Sequence, residues 1–171
     1  MARHPGWATR LFSHEDLDTI AATVHAAERG TSGEIRVHLE RRIPRRRGEP
    51  AGDALARATH VFHRLRMHTT DERNAVLIYV AVEDRKLAIV GDEGVHARVG
   101  EEYWRRVRDA MVERLRGGRP RDAIVHAVTD VGLVLCKFFP PRPGRPLVPG
   151  RGHPRGGPAL PPGVAGPYRE V

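Results

Sequence analysis

Ala75-Val76-Leu77-Ile78-Tyr79-Val80-Ala81-Val82 is apolar throughout, rich in β-branched and aromatic residues, and carries neither charge nor glycine. A run this short and this apolar is a strand covered on both faces, because a solvent-facing side would impose polar residues at alternate positions. Glu83-Asp84-Arg85 then makes a tight turn, and Lys86 to Val90 returns as the second strand of a hairpin. Gly91-Asp92-Glu93-Gly94 ends that strand. Upstream, Ile35, Val37 and Leu39 alternate with Arg36, His38 and Glu40, the pattern of a strand over 34–40 with one buried and one wet face. Between the two lie a charged loop at 41–50, with Pro44, Gly48 and Pro50, and a helix over 52–66. That helix carries Leu55, Ala58, Phe62 and Leu65 at helical spacing, with Asp53 suited to its first turn. A polar turn, 67–74, leads into the buried strand.

Helices flank this β-α-β-β segment. The first starts at Ser13, where Ser13 and Asp16 have the spacing of a capping box with Asp in place of the usual Glu. Leu17, Ile20, Ala21 and Val24 mark its apolar face, and Gly30 stops it. After the hairpin come a short helix at 94–99, one at 101–116 burying Trp104, Val107, Met111 and Leu115, and one at 120–138. The last buries Ile124, Ala127, Val128, Val131, Leu135 and Phe138, opens on Pro120 and ends before Pro140-Pro141. Cys136, the single cysteine, falls in its apolar run and reads as core. The fold class that follows is α/β: a three-layer α/β/α sandwich around a small mixed β-sheet.

Composition divides the chain. Residues 140–171 hold ten of the 14 prolines and seven of the 18 glycines. Such a segment buries too little surface to offset its ordering entropy. The expected organisation is an N-terminal extension over 1–12, a domain over 13–139 and a disordered Pro/Gly/Arg-rich tail over 140–171. The formal charge is +8, yet only Lys86 and Lys137 of the 29 basic residues are lysine, and the excess is spread along the chain. Arg41-Arg42 and Arg45-Arg46-Arg47 form the one dense basic run, read as a solvated loop, and no groove-reading or base-stacking motif accompanies it. A basic tail suits acidic partners in general. With no signal-like h-region, no membrane-length apolar run and one cysteine, the expected location is the cytoplasm.

The topology singles out one end of the sheet. If the strands at 34–40 and 75–82 share a sheet through the helix between them, they run parallel, and the hairpin partner ends where they begin. Glu34, Asp71 and Asp92 then converge on one rim, with Ser32, Glu72, Arg73, Asn74 and Glu93 beside them. Carboxylates with amide and backbone oxygens suit a hard cation, Ca²⁺ or Mg²⁺. Metal-assisted phosphate hydrolysis at such a rim would use Arg73 to steady the phosphate. The competing reading is that these acids cap helices and end strands, with Arg73 paired to Asp71 or Asp92. His60 and His63, three apart on the helix at 52–66 and near His68, read as solvated residues flanking its apolar face. Phosphate-loop, nucleophile-elbow and Cys-x-x-Cys motifs are absent from the sequence.

Thr31-Ser32-Gly33-Glu34-Ile35-Arg36-Val37, Thr70-Asp71-Glu72-Arg73-Asn74-Ala75-Val76-Leu77-Ile78-Tyr79-Val80-Ala81 and Asp84-Arg85-Lys86-Leu87-Ala88-Ile89-Val90-Gly91-Asp92-Glu93-Gly94-Val95 follow in order, then Trp104 and a helix ending at Gly117-Gly118. Over about 13–139 this set resembles the TPM domain of thylakoid lumen phosphatase-like proteins, photosystem II repair factors and a nematode receptor auxiliary protein. The resemblance implies an α/β/α sandwich, a divalent-cation site and the acid phosphatase activity claimed for plant members. It carries over to Asp71 and Asp92, with Glu34 as a third residue; Asn74-Ala75 stands where many members have Asn-Gly. Many relatives also carry an export signal and a membrane helix, which this sequence lacks, so it resembles the stand-alone cytosolic form. The expected function is a cation-binding module without strong catalysis. The alternatives are a phosphomonoester hydrolase at the same rim, and an interaction protein acting through its basic tail. Whether the chain is an enzyme stays open at this point, as does its physiological partner.

Overall fold

The computed structural model describes residues 4–45, 47 and 52–142. Its elements run α1 (His14–Arg29), β1 (Glu34–Glu40), α2 (Ala54–Arg64), β2 (Ala75–Ala81), β3 (Lys86–Gly91), α3 (Glu93–Arg116) and α4 (Pro120–Phe138), with 3₁₀ turns at Ala8–Arg10 and Met67–Thr69. The sheet has the order β1-β2-β3. β1 and β2 are parallel, Glu34 opposite Ala75 through Glu40 opposite Ala81. β2 and β3 are antiparallel, Val76 opposite Gly91 through Ala81 opposite Lys86.

Strand alternation divides the sheet into two faces and so makes three layers. Ile35, Val76, Ile78, Val80, Leu87 and Ile89 pack with the apolar residues of α1, α3 and α4. Ala75, Leu77, Tyr79, Ala81, Ala88 and Val90 pack with Ala54, Ala58, Val61 and Phe62 of α2 and with Met67. Three of the sheet residues on the α2 side are alanine, which brings the single covering helix close. β2 is buried along its whole length, as its unbroken apolar run requires. In β1 only Ile35 is fully buried, while Val37 and Leu39 stay half-exposed. β1 is an edge strand, and an open cleft lined by Leu17, Val24, Glu28, Val37 and Leu39 runs beside it. Ile35 N–H, one of the groups on that edge, is satisfied by Glu28 Oε1 at 2.9 Å.

The caps follow the local sequence. Ser13 accepts from Asp16 N, and Asp16 Oδ2 accepts from Ser13 N at 2.9 Å, a complete capping box. Asp53 is the N-cap of α2. Gly100, at φ +75°, breaks α3 where the sequence suggests two helices; the two halves are consecutive rather than separated by a loop. Trp104, Val107, Met111 and Leu115 are buried as the periodicity requires.

Two expectations are corrected. Cys136 is exposed, because α4 turns Val128, Val131 and Leu135 inward and the position after Leu135 lies about 100° around the helix. Within the expected extension, residues 4–12 pack onto the domain, with Ala8 and Phe12 buried in the main core. The Phe139 carbonyl, at the expected end of the domain, accepts from Ser32 N at 3.0 Å, and just beyond it Arg142, within the expected tail, reaches Glu72 at 3.2 Å. The rest of the expected tail, 143–171, and Arg46 and 48–51 of the charged loop lie outside the described residues.

Candidate functional site

The registers put the starts of β1 and β2 and the end of β3 at one end of the sheet. Asp92 N donates to Ala75 O at 2.9 Å across that end. On the backbone, therefore, Glu34, Asp71 and Asp92 share a rim. Their side chains take different partners. Asp92 is fully buried and caps α3, its Oδ1 accepting from Glu93 N at 2.8 Å. Its Oδ2 accepts from Arg73 Nε at 3.0 Å. Both oxygens are engaged, and ligating an ion through either would compete with the cap or the ion pair. Glu34 Oε1 accepts from Arg36 Nε at 2.7 Å, on its own strand. Asp71 is exposed and lies 3.9 Å from Arg142. Among the described residues no group of three or more His, Cys, Asp or Glu side chains is arranged to hold a metal ion. Arg73 pairs with Asp92, the second of its two expected partners, and its charge is thereby engaged.

A different set of side chains is drawn together at the same rim. Ser32 Oγ donates to Glu72 Oε2 at 2.6 Å. Asn74 Nδ2 donates to Ser32 Oγ at 3.2 Å and to Glu72 Oε2 at 3.3 Å. Arg142 completes the group through Glu72 Oε1 at 3.2 Å. The Ser32 bond is the chief reason the Glu72 carboxyl is held below its ordinary range; partial burial opposes it and Arg142 assists. The loop bearing Ser32 is anchored by buried Thr31, whose hydroxyl donates to Phe139 O and accepts from Gly33 N at 3.0 Å. Loop 70–74 is locked against α3 by Gly94. A Cβ there would come 2.2 Å from Glu72 O and 2.7 Å from Arg73 O, so only glycine lets the two backbones approach.

The spacing of Ser32, Glu72 and Asn74 around the strand starts signalled this group. Arg142 had no such signal, because its position inside a Pro/Gly-rich segment hides it. The histidines also depart from expectation. His60 is exposed, but the rings of His63 and His68 lie 4.5 Å apart between centroids, tilted by 49°, and His63 Nε2 and His68 Nδ1 are shielded from solvent.

A mixed three-stranded sheet between one helix and three, with a polar loop rim at the strand starts, defines the class: a small α/β/α module with its loops gathered at one end. The chain belongs to the TPM domain family, whose model matches residues 8–134. The BA42 protein of the psychrophilic bacterium Bizionia argentinensis is similar at 37% identity, with 75% of this chain and 84% of that chain covered and a TM-score of 0.65. The N-terminal domain of a protein from P. gingivalis has the same fold at 16% identity, covering 75% and 79% of the two chains with a TM-score of 0.57. No curated protein matches the chain. Among the described residues no helix is long and apolar enough to cross a membrane.

Proposed function

We propose that this TPM domain is a binding module without strong catalysis, and that its rim takes a hard divalent cation, Ca²⁺ or Mg²⁺, through Asp71 and Glu72. The supporting observation is the placement of the Arg142 guanidinium, 3.2 Å from Glu72 and 3.9 Å from Asp71. A positive charge already occupies the place where the loop carboxylates and the Ser32 hydroxyl offer oxygen. Hard cations prefer such oxygen sets and complete them with water. In this reading Asp92 and Glu34 are structural: the first caps α3, the second pairs along β1. The hydrolase alternative gains nothing from Arg73, whose guanidinium is bound to Asp92.

The test is calorimetric titration of Ca²⁺, then Mg²⁺, into the full chain stripped of metal. The expected result is one binding event, lost in the Asp71→Asn/Glu72→Gln variant and kept within a few-fold in Asp92→Asn. Binding lost in Asp92→Asn alone, with the fold intact by circular dichroism, would return the site to the buried aspartate. No heat at roughly millimolar ion, the weak end of calcium sites, would sink the cation reading.

A further inference from the structure

We propose a second, nitrogen-donor site: His63 and His68 bind a borderline transition-metal ion, such as Zn²⁺ or Ni²⁺, through their adjacent rings. This goes beyond the oxygen-donor reading and shares no residue with it.

The argument starts with the turn after α2. Leu65 caps the helix, and Arg66 adopts a left-handed conformation at φ +58°. Its N–H bonds back to His63 O at 2.9 Å, an αL closure made with arginine where glycine is usual. That reversal carries the Met67–Thr69 turn back over the end of α2, with Met67 buried as its anchor. His68 thereby comes to lie against His63, ring centroids 4.5 Å apart and planes inclined by 49°.

Two imidazoles sharing one ion through nitrogens at about 2.1 Å have centroids roughly 5 Å apart. The observed spacing is close to that arrangement before any ion enters. One nitrogen of each ring, His63 Nε2 and His68 Nδ1, is shielded from solvent and has no hydrogen-bond partner. Buried polar nitrogens are almost always satisfied; His96 Nδ1 and Trp104 Nε1 are also without a partner, but only His63 and His68 bring two such nitrogens onto neighbouring rings, where one ion can serve both. An imidazole nitrogen is a ligand for Zn²⁺, Ni²⁺ and Cu²⁺ and a poor one for Ca²⁺ or Mg²⁺. No third His, Cys, Asp or Glu joins the pair among the described residues, so the chain supplies two ligands. A two-ligand site of this kind follows the Irving–Williams order, with Cu²⁺ bound most tightly.

The decisive experiment uses the full chain, metal-free at neutral pH, with ¹⁵N-labelled histidine side chains observed by NMR. Addition of Zn²⁺ should shift the ring nitrogens of His63 and His68 together and leave exposed His60 in place. Paramagnetic Ni²⁺ should broaden signals around the same two rings, and Ca²⁺ or Mg²⁺ should not. By calorimetry, the His63→Gln/His68→Gln variant should bind Zn²⁺ at least about tenfold more weakly, the loss typical when a metal site is disturbed, with His60→Gln unchanged. Shifts centred on His4 and His14, whose rings are 5.5 Å apart at the N-terminus, or none at all, would overturn the proposal. The NMR readout needs no variant, so a folding defect in the double substitution leaves it decisive. Loss of Ca²⁺ binding with Zn²⁺ binding intact would refute only the oxygen-donor rim.

Discussion

The two ends of the sheet handle their carboxylates differently. At the end where β1 and β2 finish, Glu40 accepts from Tyr79 OH at 2.6 Å and from Arg57 Nε at 3.1 Å, with His38 Nε2 at 3.3 Å. Nearby, Glu83 accepts from Arg41, Arg42 and Arg10. Asp84 Oδ2 accepts from Ile43 N at 2.7 Å. Here Glu40 sits on a strand and its arginine on the covering helix, while Glu83 and Asp84, in the β2–β3 turn, are met by donors from the loop after β1 and by Arg10. At the opposite rim Asp71 and Glu72 come from a loop, and Glu72 meets its counter-charge on Arg142, beyond the end of α4. The difference separates a carboxylate held among packed layers from one more than twice as exposed at a loop surface, 16% against 36%.

Breaking the rim's backbone packing should have the largest effect. Gly94→Ala drives a Cβ into the Glu72 and Arg73 carbonyls, and neither is a flexible side chain that can yield. The expected loss is about 3 kcal/mol, read by urea denaturation. Asp92→Ala should come next, at about 2 kcal/mol, since it removes the α3 cap and strands Arg73. Asp92→Asn should cost less because its amide oxygen still caps, and equal losses from both would place the stabilisation in the ion pair.

Arg57→Met tests the far end. It should cost about 1–2 kcal/mol, a buried-pair loss reduced by solvent screening of a partly exposed group. The pH dependence sharpens the same point. Burial works to raise the Glu40 pKa, but the Arg57 and Tyr79 bonds overcome it and hold the carboxyl at about 2, against 4.5 ordinarily. A depressed carboxyl stabilises the fold above its unfolded pKa, so that contribution should be complete above about pH 4.5 and drain away as pH falls toward about 2. Denaturation midpoints across acid pH should show this slope in the wild type and a flatter one in Arg57→Met. The smallest effect is expected for Arg142→Ala, under about 0.5 kcal/mol for an exposed pair. A loss above about 1 kcal/mol would mean that Arg142 fastens the rim rather than merely visiting it.

Much of this was legible in residue order. β2 lies where an unbroken apolar run leaves a strand no wet face, and the Ser13–Asp16 box formed because both partners lie within one turn. Cys136 was misread because a run of apolar letters on a helix does not say which one faces out. Residues 1–12 looked like an extension because two apolar anchors, Ala8 and Phe12, are too few to make a pattern. The rim was found as a location through the strand directions, with Arg73–Asp92 among its two expected pairings, but the Ser32–Glu72–Arg142 group was not.

Local sequence, then, determined the elements, their caps, the strand directions and the gathering of loops at one end. These rest on periodicity, turn chemistry and the short range of backbone hydrogen bonds. Only the tertiary structure decided which charges meet. Asp92 went to Arg73, Glu72 to Ser32 and Arg142, Glu40 to Arg57, and His63 to His68 across a left-handed turn. Apart from the last, these pairs join residues from different parts of the chain, and the partner of a buried or half-buried polar group is whichever donor the packed backbone brings within about 3 Å.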